Sequence, residues 1–160
     1  MSKTAGTVKR VSMELGGHAP FIVFEDADLD EAVIGAMANK YRNSGQVCVS
    51  ANRIYVHESI YDEFSNRLAE KSSQLKVADG RTEGAQIGPL ISPQAFKKVE
   101  EHVEDAVKKG AKILTGGTND NSGVQFYKPT VLTDINNNMK IYYEETFGPV
   151  APIIKFKNEN

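Results

Sequence analysis

Cysteine and tryptophan are nearly missing from this 160-residue chain, which holds one cysteine and no tryptophan. A single cysteine excludes an internal disulfide, and no group of cysteine and histidine residues has the spacing of a zinc site. The fold must therefore rest on a packed hydrophobic core, which a chain of this length can bury. These absences leave Cys48 to be explained on its own.

An excess of charge of one sign and long hydrophobic runs are also absent. The 19 basic and 21 acidic residues give a net charge of −2, so no surplus of positive charge favours binding to a nucleic acid backbone. The apolar run at residues 19–24 is too short to cross a bilayer, and residues 1–10 contain no apolar signal core. We expect a globular, cytoplasmic protein that binds neither nucleic acid nor a membrane.

Hydrophobic patterning predicts alternating strands and helices. Runs of β-branched and aromatic residues between turn-forming residues predict strands at residues 11–15, 20–24, 53–56 and 112–115. Amphipathic periodicity predicts helices that begin at Asp28, Ser59 and Ser92, the third ending at Gly110. Extended segments follow in residues 127–156. This order implies crossover connections, so the predicted fold class is α/β, with a largely parallel sheet and flanking helices.

The first predicted helix leads directly to the cysteine. Asp28 is its expected N-cap, with Glu31 at the reciprocal position. One side carries a mostly apolar stripe formed by Ala32, Val33, Ala36, Met37 and Lys40. The pattern fails at residues 43–45, so Cys48 follows the carboxyl end of the helix.

The residues before Cys48 favour a reactive thiol over a buried one. A lone cysteine in a cytosolic protein is more often a small buried hydrophobe. Residues 44–46, Ser-Gly-Gln, instead supply an irregular backbone that can expose the thiol and direct amide N–H groups at it. Cys48 is therefore a candidate nucleophile.

Three segments resemble motifs of the aldehyde dehydrogenase family, in the family's order. Residues 41–48, YRNSGQVC, resemble the cysteine signature, and residues 13–17, MELGG, resemble the glutamate signature. Residues 144–150, EETFGPV, resemble the segment that approaches the cofactor's nicotinamide ribose. The similarity runs from about residue 8 to the end, so it covers nearly the whole chain.

The resemblance implies a role for each motif in oxidising an aldehyde with NAD or NADP. Cys48 would attack the aldehyde, and hydride loss would leave a thioester. Glu14, if partly buried near the thiol, would be the general base that activates water to hydrolyse this thioester. Leu15, Glu145 and Phe147 would contact the cofactor. No metal ligand is implied.

Arg42 is the residue that indicates which aldehyde the complete enzyme would bind. It lies six residues before Cys48, and in the succinate-semialdehyde branch of the family, which the chain resembles most, arginine at this place holds the substrate's distal carboxylate. A guanidinium can do so through two parallel hydrogen bonds. The alternative is an arginine at a helix end that pairs with a surface acid or with the helix dipole.

The chain is much shorter than a typical family member. The resemblance thus implies that residues 1–160 are a partial catalytic domain, without an upstream dinucleotide-binding domain and a carboxyl-terminal remainder. We expect the chain alone to be inactive, and the complete enzyme to be a homo-oligomer that acts on a small aldehyde. The sequence does not choose between NAD and NADP.

Two other functions remain open at this point. The chain could be a non-catalytic remnant that serves as a partner-binding module. It could also be a cysteine hydrolase or thioesterase in which a histidine is the base. None of His18, His57 and His102 belongs to the cysteine or glutamate motif, so we expect these histidines to have packing or surface roles.

Overall fold

A five-stranded sheet forms the centre of the computed structural model, which describes residues 1–158. The strands are β1 (Ala19–Val23), β2 (Ala51–His57), β3 (Lys112–Thr115), β4 (Thr130–Thr133) and β5 (Val150–Phe156). Their order across the sheet is β1-β2-β5-β4-β3. Only the pair β3 and β4 is antiparallel, and the other three pairs are parallel. The predicted α/β class with a largely parallel sheet is confirmed.

Helices lie between the strands, and capping side chains set where two of them begin. The helices are α1 (Ser2–Ala5), α2 (Leu29–Tyr41), α3 (Tyr61–Ser73), α4 (Pro93–Lys108) and α5 (Lys140–Tyr143). The Asp28 carboxylate accepts hydrogen bonds from the second and third backbone N–H groups of α2, and Ser92 Oγ accepts one from Ala95 N–H in α4. The cap at Asp28 and the start of a helix at Ser92 were predicted. No helix within residues 1–158 is long and apolar enough to cross a membrane.

Alternate residues along the strands build a hydrophobic core on each face of the sheet. Ile54 and Ile153 pack in one cluster with side chains from α2 and α3. Val150 and Ile154 pack in a second cluster with side chains from α4 and α5. Because neighbouring strand residues point to opposite faces, the two layers of helices sandwich the parallel strands.

One predicted strand and the predicted start of one helix are wrong. Residues 11–15 form no strand, because their backbone makes no hydrogen bonds to a neighbouring strand within the described chain, and β-branched residues need such a partner to form a ladder. The second long helix begins at Tyr61 rather than Ser59. The Ser59 hydroxyl bonds to His57 Nδ1 (2.8 Å) instead of capping the helix.

Candidate active site

Three segments meet at the amino edge of the sheet. Residues 13–17 precede β1, residues 42–50 precede β2, and residues 144–149 precede β5. Because β1, β2 and β5 are adjacent and parallel, the segments that lead into them lie side by side. The three motifs recognised in the sequence are therefore brought together by the topology.

A cleft of about 610 Å³ opens between these segments. Five of the six predicted site residues line it, namely Glu14, Leu15, Cys48, Glu145 and Phe147. The remaining lining residues are Gly16, Asn43, Gln46 and Val47. The cleft thus combines a thiol, two carboxylates and exposed apolar side chains.

The loop before Cys48 contains a left-handed turn. Asn43, Ser44 and Gly45 have φ values of 50°, 59° and 74°, a region that side chains disfavour. A Cβ on Gly45 would overlap the carbonyl oxygen of Gly148 in the segment before β5. Glycine is therefore required at residue 45 both by its φ value and by this close approach.

Hydrogen bonds from residues 88–91 hold the turn in place. The Ser44 hydroxyl accepts from Gly88 N–H (2.9 Å) and also lies 3.2 Å from the Gly88 carbonyl oxygen. Gln46 Oε1 accepts from Ile91 N–H (2.8 Å), and Gln46 Nε2 donates to the Pro89 carbonyl (3.3 Å). These contacts offset the strain of the left-handed residues and fix the backbone that carries Cys48.

Residues 42–50 are here called the cysteine loop. Two side chains of α2 form hydrogen bonds at the carboxyl end of this loop. Asn39 accepts a hydrogen bond from Ala51 N–H (2.6 Å) and donates one to the Val49 carbonyl (3.3 Å). Lys40 Nζ donates to Asn52 Oδ1 (3.1 Å). The loop is therefore tied at its base as well as along its length.

Lys40 is a buried charge that the sequence patterns did not mark as a site residue. Its side chain is fully buried, and burial lowers its pKa to about 7, although the nearby negative charge of Glu145 opposes this shift. In the sequence, the feature that could have marked Lys40 as unusual is its position on the apolar stripe of α2. A lysine there must either reach solvent or be paired inside the protein.

Cys48 itself is exposed in the cleft. No backbone hydrogen bond among residues 1–158 uses its N–H group. That N–H group is thus available to donate to an oxyanion that forms on a substrate bonded to the sulfur.

The glycine pair after Glu14 allows three segments to approach one another closely. A Cβ on Gly17 would overlap the carbonyl oxygen of Cys48, and one on Gly16 would lie 2.6 Å from Glu145 Oε2. Gly17 N–H donates to Glu145 Oε1 (3.1 Å). The backbone of the cysteine loop therefore excludes a side chain at Gly17, whereas a Cβ at Gly16 would meet only the movable end of the Glu145 side chain.

Glu14 is exposed, so residues 1–158 do not by themselves supply the partial burial on which its role as general base was conditional. No hydrogen bond or ion pair to Glu14 is formed within residues 1–158. The reason is its place in a segment without regular structure, over which no other described element packs. Leu15 is likewise 71% exposed.

Arg42 is separated from the other predicted site residues. It lines a neighbouring cavity of about 450 Å³ together with Met37, Tyr41 and Lys71. Its guanidinium is exposed, and it forms no ion pair or hydrogen bond within residues 1–158. No surface acid pairs with this arginine within residues 1–158, but Arg42 is the C-cap of α2, as in the alternative in which it interacts with the helix dipole.

The three histidines all lie outside the cleft. His18 Nε2 donates to the Tyr142 carbonyl (2.9 Å), and His57 contacts Ser59 and Glu25 at the surface. His102 is buried on α4. None of them lines the cleft with Cys48, so the geometry does not favour a cysteine hydrolase with a histidine base.

The cleft residues offer groups that fit the nicotinamide end of a cofactor. No group of three or more potential metal ligands occurs within residues 1–158. Leu15 and Phe147 offer apolar surface for a flat ring, and Glu145 Oε2 remains as an acceptor for ribose hydroxyl groups because Oε1 is bonded to Gly17. These three residues would hold the nicotinamide end of the cofactor.

These features define an α/β protein with an exposed cysteine in a cleft at the amino edge of a largely parallel sheet. All 160 residues match the profile of the aldehyde dehydrogenase family. The chain belongs to this family.

Three relatives illustrate the similarity. The chain is 52% identical over 159 residues to the NADP⁺-dependent succinate-semialdehyde dehydrogenase GabD of Escherichia coli, covering 99% of this chain and 33% of that protein. It is also 52% identical to 3-sulfolactaldehyde dehydrogenase of Pseudomonas putida, covering 100% and 33%. The crystal structure of succinate-semialdehyde dehydrogenase from Burkholderia pseudomallei superposes with a TM-score of 0.93 at 54% identity, covering 99% and 33%. The chain therefore spans about a third of the length of these relatives.

Proposed function

We propose that this chain carries the nucleophile and the general base of an NAD(P)-dependent aldehyde dehydrogenase that acts on a small aldehyde with a distal anionic group. Succinate semialdehyde is the leading substrate. The observation that carries the proposal is the single cleft lined by Cys48, Glu14 and Glu145. Two relatives support the substrate class, because succinate semialdehyde and 3-sulfolactaldehyde each combine an aldehyde with an anionic group.

The cleft residues account for the reaction in two steps. The Cys48 thiolate attacks the aldehyde carbon and forms a thiohemiacetal, whose oxyanion accepts a hydrogen bond from Cys48 N–H. A bound nicotinamide supplies the acceptor for the hydride that leaves this carbon. Glu14 then deprotonates a water molecule that attacks the resulting thioester, which releases the acid and frees the Cys48 sulfur.

Residues 1–160 form, in this proposal, part of the catalytic domain of a homo-oligomeric enzyme. The chain spans about a third of the length of its relatives, and the cofactor residues it contributes lie only around the nicotinamide. Hydride transfer requires the cofactor to be held tightly against the thiohemiacetal. We therefore expect the 160 residues alone to reduce neither NAD⁺ nor NADP⁺.

The chemistry is tested by replacing the matching third of Escherichia coli GabD with these 160 residues. The hybrid enzyme should reduce NADP⁺ with succinate semialdehyde, and Cys48→Ser should abolish this activity. Glu14→Gln should leave a first turnover that yields about one NADPH per active site, because only thioester hydrolysis is slowed. Stopped-flow absorbance measures both phases. Steady turnover by the Glu14→Gln hybrid at the parent rate would show that Glu14 is not the base.

The substrate class is tested at Arg42 in the same hybrid. If the guanidinium pairs with the distal carboxylate, Arg42→Ala should lower kcat/KM for succinate semialdehyde by an amount equivalent to about 2–5 kcal/mol. Butanal, which lacks the carboxylate, serves as the control and should be affected much less. Arg42→Lys should recover part of the loss, since an ammonium cannot form two parallel hydrogen bonds. Equal losses for both aldehydes would assign Arg42 to structure.

A further inference from the structure

His102 binds the segment before β5 through both of its ring nitrogens. Its side chain is buried on α4, with 1% of the residue exposed. Nδ1 lies 2.8 Å from Thr146 Oγ1, and Nε2 lies 3.3 Å from Glu144 Oε2. The two partners are the residues on either side of Glu145, so one imidazole fixes the backbone around that carboxylate.

The side chains of residues 144–147 alternate between α4 and the cleft. Thr146, which is completely buried, and Glu144 face His102. Glu145 faces the opposite way and accepts a hydrogen bond from Gly17 N–H, and Phe147 lines the cleft. A shift of this segment by one residue would turn Glu145 away from the cleft.

The donor and acceptor roles in these two hydrogen bonds define which ring nitrogen of His102 carries the proton. The Glu144 carboxylate only accepts, so Nε2 carries the proton and donates to it. Nδ1 then accepts from the Thr146 hydroxyl. Burial lowers the pKa of His102, an effect strengthened by Lys98 and Lys140 and opposed by Glu144, which favours this neutral form. Both ring nitrogens of His102 therefore form hydrogen bonds to the segment before β5.

We propose that His102 is a positioning residue that sets the register of residues 144–147, so that Glu145 and Phe147 face the cleft. The same helix face contributes a second contact, because Gly148 packs so closely on Val99 that a Cβ would lie 2.6 Å from Val99 Cγ2. The effect of His102 on cofactor binding rests on the proposed function. Its effect on the hydrogen bond between Gly17 N–H and the Glu145 carboxylate is independent of that function.

Amide hydrogen exchange of Gly17 in the 160-residue chain tests the structural part. His102→Leu should lower the protection of Gly17 N–H at least tenfold, because Glu145 no longer stays in place to accept its hydrogen bond. His57→Leu is the matched control, because His57 is also mostly buried and bonds through both ring nitrogens, but to Ser59 and the Lys157 carbonyl rather than to residues 144–147; it should leave this protection unchanged. If His102→Leu does not fold, Thr146→Val removes one of the two contacts at nearly constant volume and should produce the same loss. Unchanged Gly17 protection in a folded variant would overturn the proposal.

A double-mutant cycle in the GabD hybrid tests the consequence for the cofactor. His102→Leu should raise the KM for NADP⁺ about tenfold and change kcat much less, whereas the rate of Cys48 alkylation by iodoacetamide stays the same. In a Glu145→Gln background, His102→Leu should add little, because its effect acts through Glu145. Additive losses would show that His102 does not act through Glu145. A hybrid without turnover would refute the proposed function and leave the Gly17 measurement to decide the role of His102.

Discussion

The two sides of the cleft are built in different ways. The cysteine loop is tied along its length by hydrogen bonds of the Ser44 and Gln46 side chains to residues 88–91, and the Asn39 side chain bonds to its base. The opposite side, residues 9–18, has no regular structure and is anchored near its end, at Gly17 and His18. The backbone that carries Cys48 is thus held by the residues around it.

In the proposed mechanism, the roles of Cys48 and Glu14 place unequal demands on folding. A nucleophile must meet a carbon atom at bonding distance, so its backbone is fixed in advance. A base that acts through a water molecule tolerates a looser placement. Substitutions in the cysteine loop should therefore cost stability, and substitutions of Glu14 should not.

Gly45 should show the greatest sensitivity to substitution. Gly45→Ala should lower the free energy of unfolding by about 3 kcal/mol or more, because the new Cβ overlaps the Gly148 carbonyl in addition to the strain of a positive φ. Gly84→Ala is the matched control, since Gly84 has nearly the same φ (73°) and its nearest neighbour is Lys76 Cδ at 4.0 Å. That change should cost about 1 kcal/mol. Urea denaturation measures both, and equal losses would show that the contact with Gly148 contributes nothing.

A second effect concerns Lys40 and depends on pH. The pKa of Lys40 is lowered from its ordinary value of 10.5 to about 7 in the folded protein, so the unfolded chain binds more protons between these two values. Stability should therefore rise with pH from about 7 to 10.5 through this group, by up to about 1.4 kcal/mol per pH unit. Below pH 7 the cost of the buried charge is constant.

Lys40→Met is the test of this pH dependence. The variant removes the buried charge, so its free energy of unfolding should lack the rise contributed by Lys40, and the stability of the parent relative to the variant should increase by up to about 1.4 kcal/mol per pH unit between pH 7 and 10. Denaturant curves at several pH values for both proteins provide the comparison. Parallel stability profiles would show that Lys40 does not titrate in this range.

Much of the cleft was predictable because each motif precedes a strand of a parallel sheet. Strands β1 and β2 and the helix capped by Asp28 followed from patterning, and adjacent parallel strands bring their amino ends together. The family resemblance identified the residues that line the cleft. It could not show that α4 holds the third motif through His102, because a contact across 42 residues leaves no periodic signal.

Other features depend on tertiary contacts that local pattern does not encode. Residues 11–15 have strand composition but no neighbouring strand, and the exposure of Glu14 follows from that. The contacts of residues 88–91 with the cysteine loop join parts of the chain more than 40 residues apart. Lys40 was visible as a charge on an apolar stripe, yet its partner Asn52 was not.

Glu14 should tolerate substitution with the least change in stability. Its carboxylate is exposed and bonds to no other group within residues 1–158, so Glu14→Gln should change the free energy of unfolding by less than about 0.5 kcal/mol. Gly17→Ala, in the same segment, provides the contrast, because its Cβ overlaps the Cys48 carbonyl and should cost several times more. Thermal unfolding of both variants separates a residue kept for chemistry from one kept for packing. A loss above about 1 kcal/mol in Glu14→Gln would mean that Glu14 supports the fold, and the two sides of the cleft would then be alike in construction.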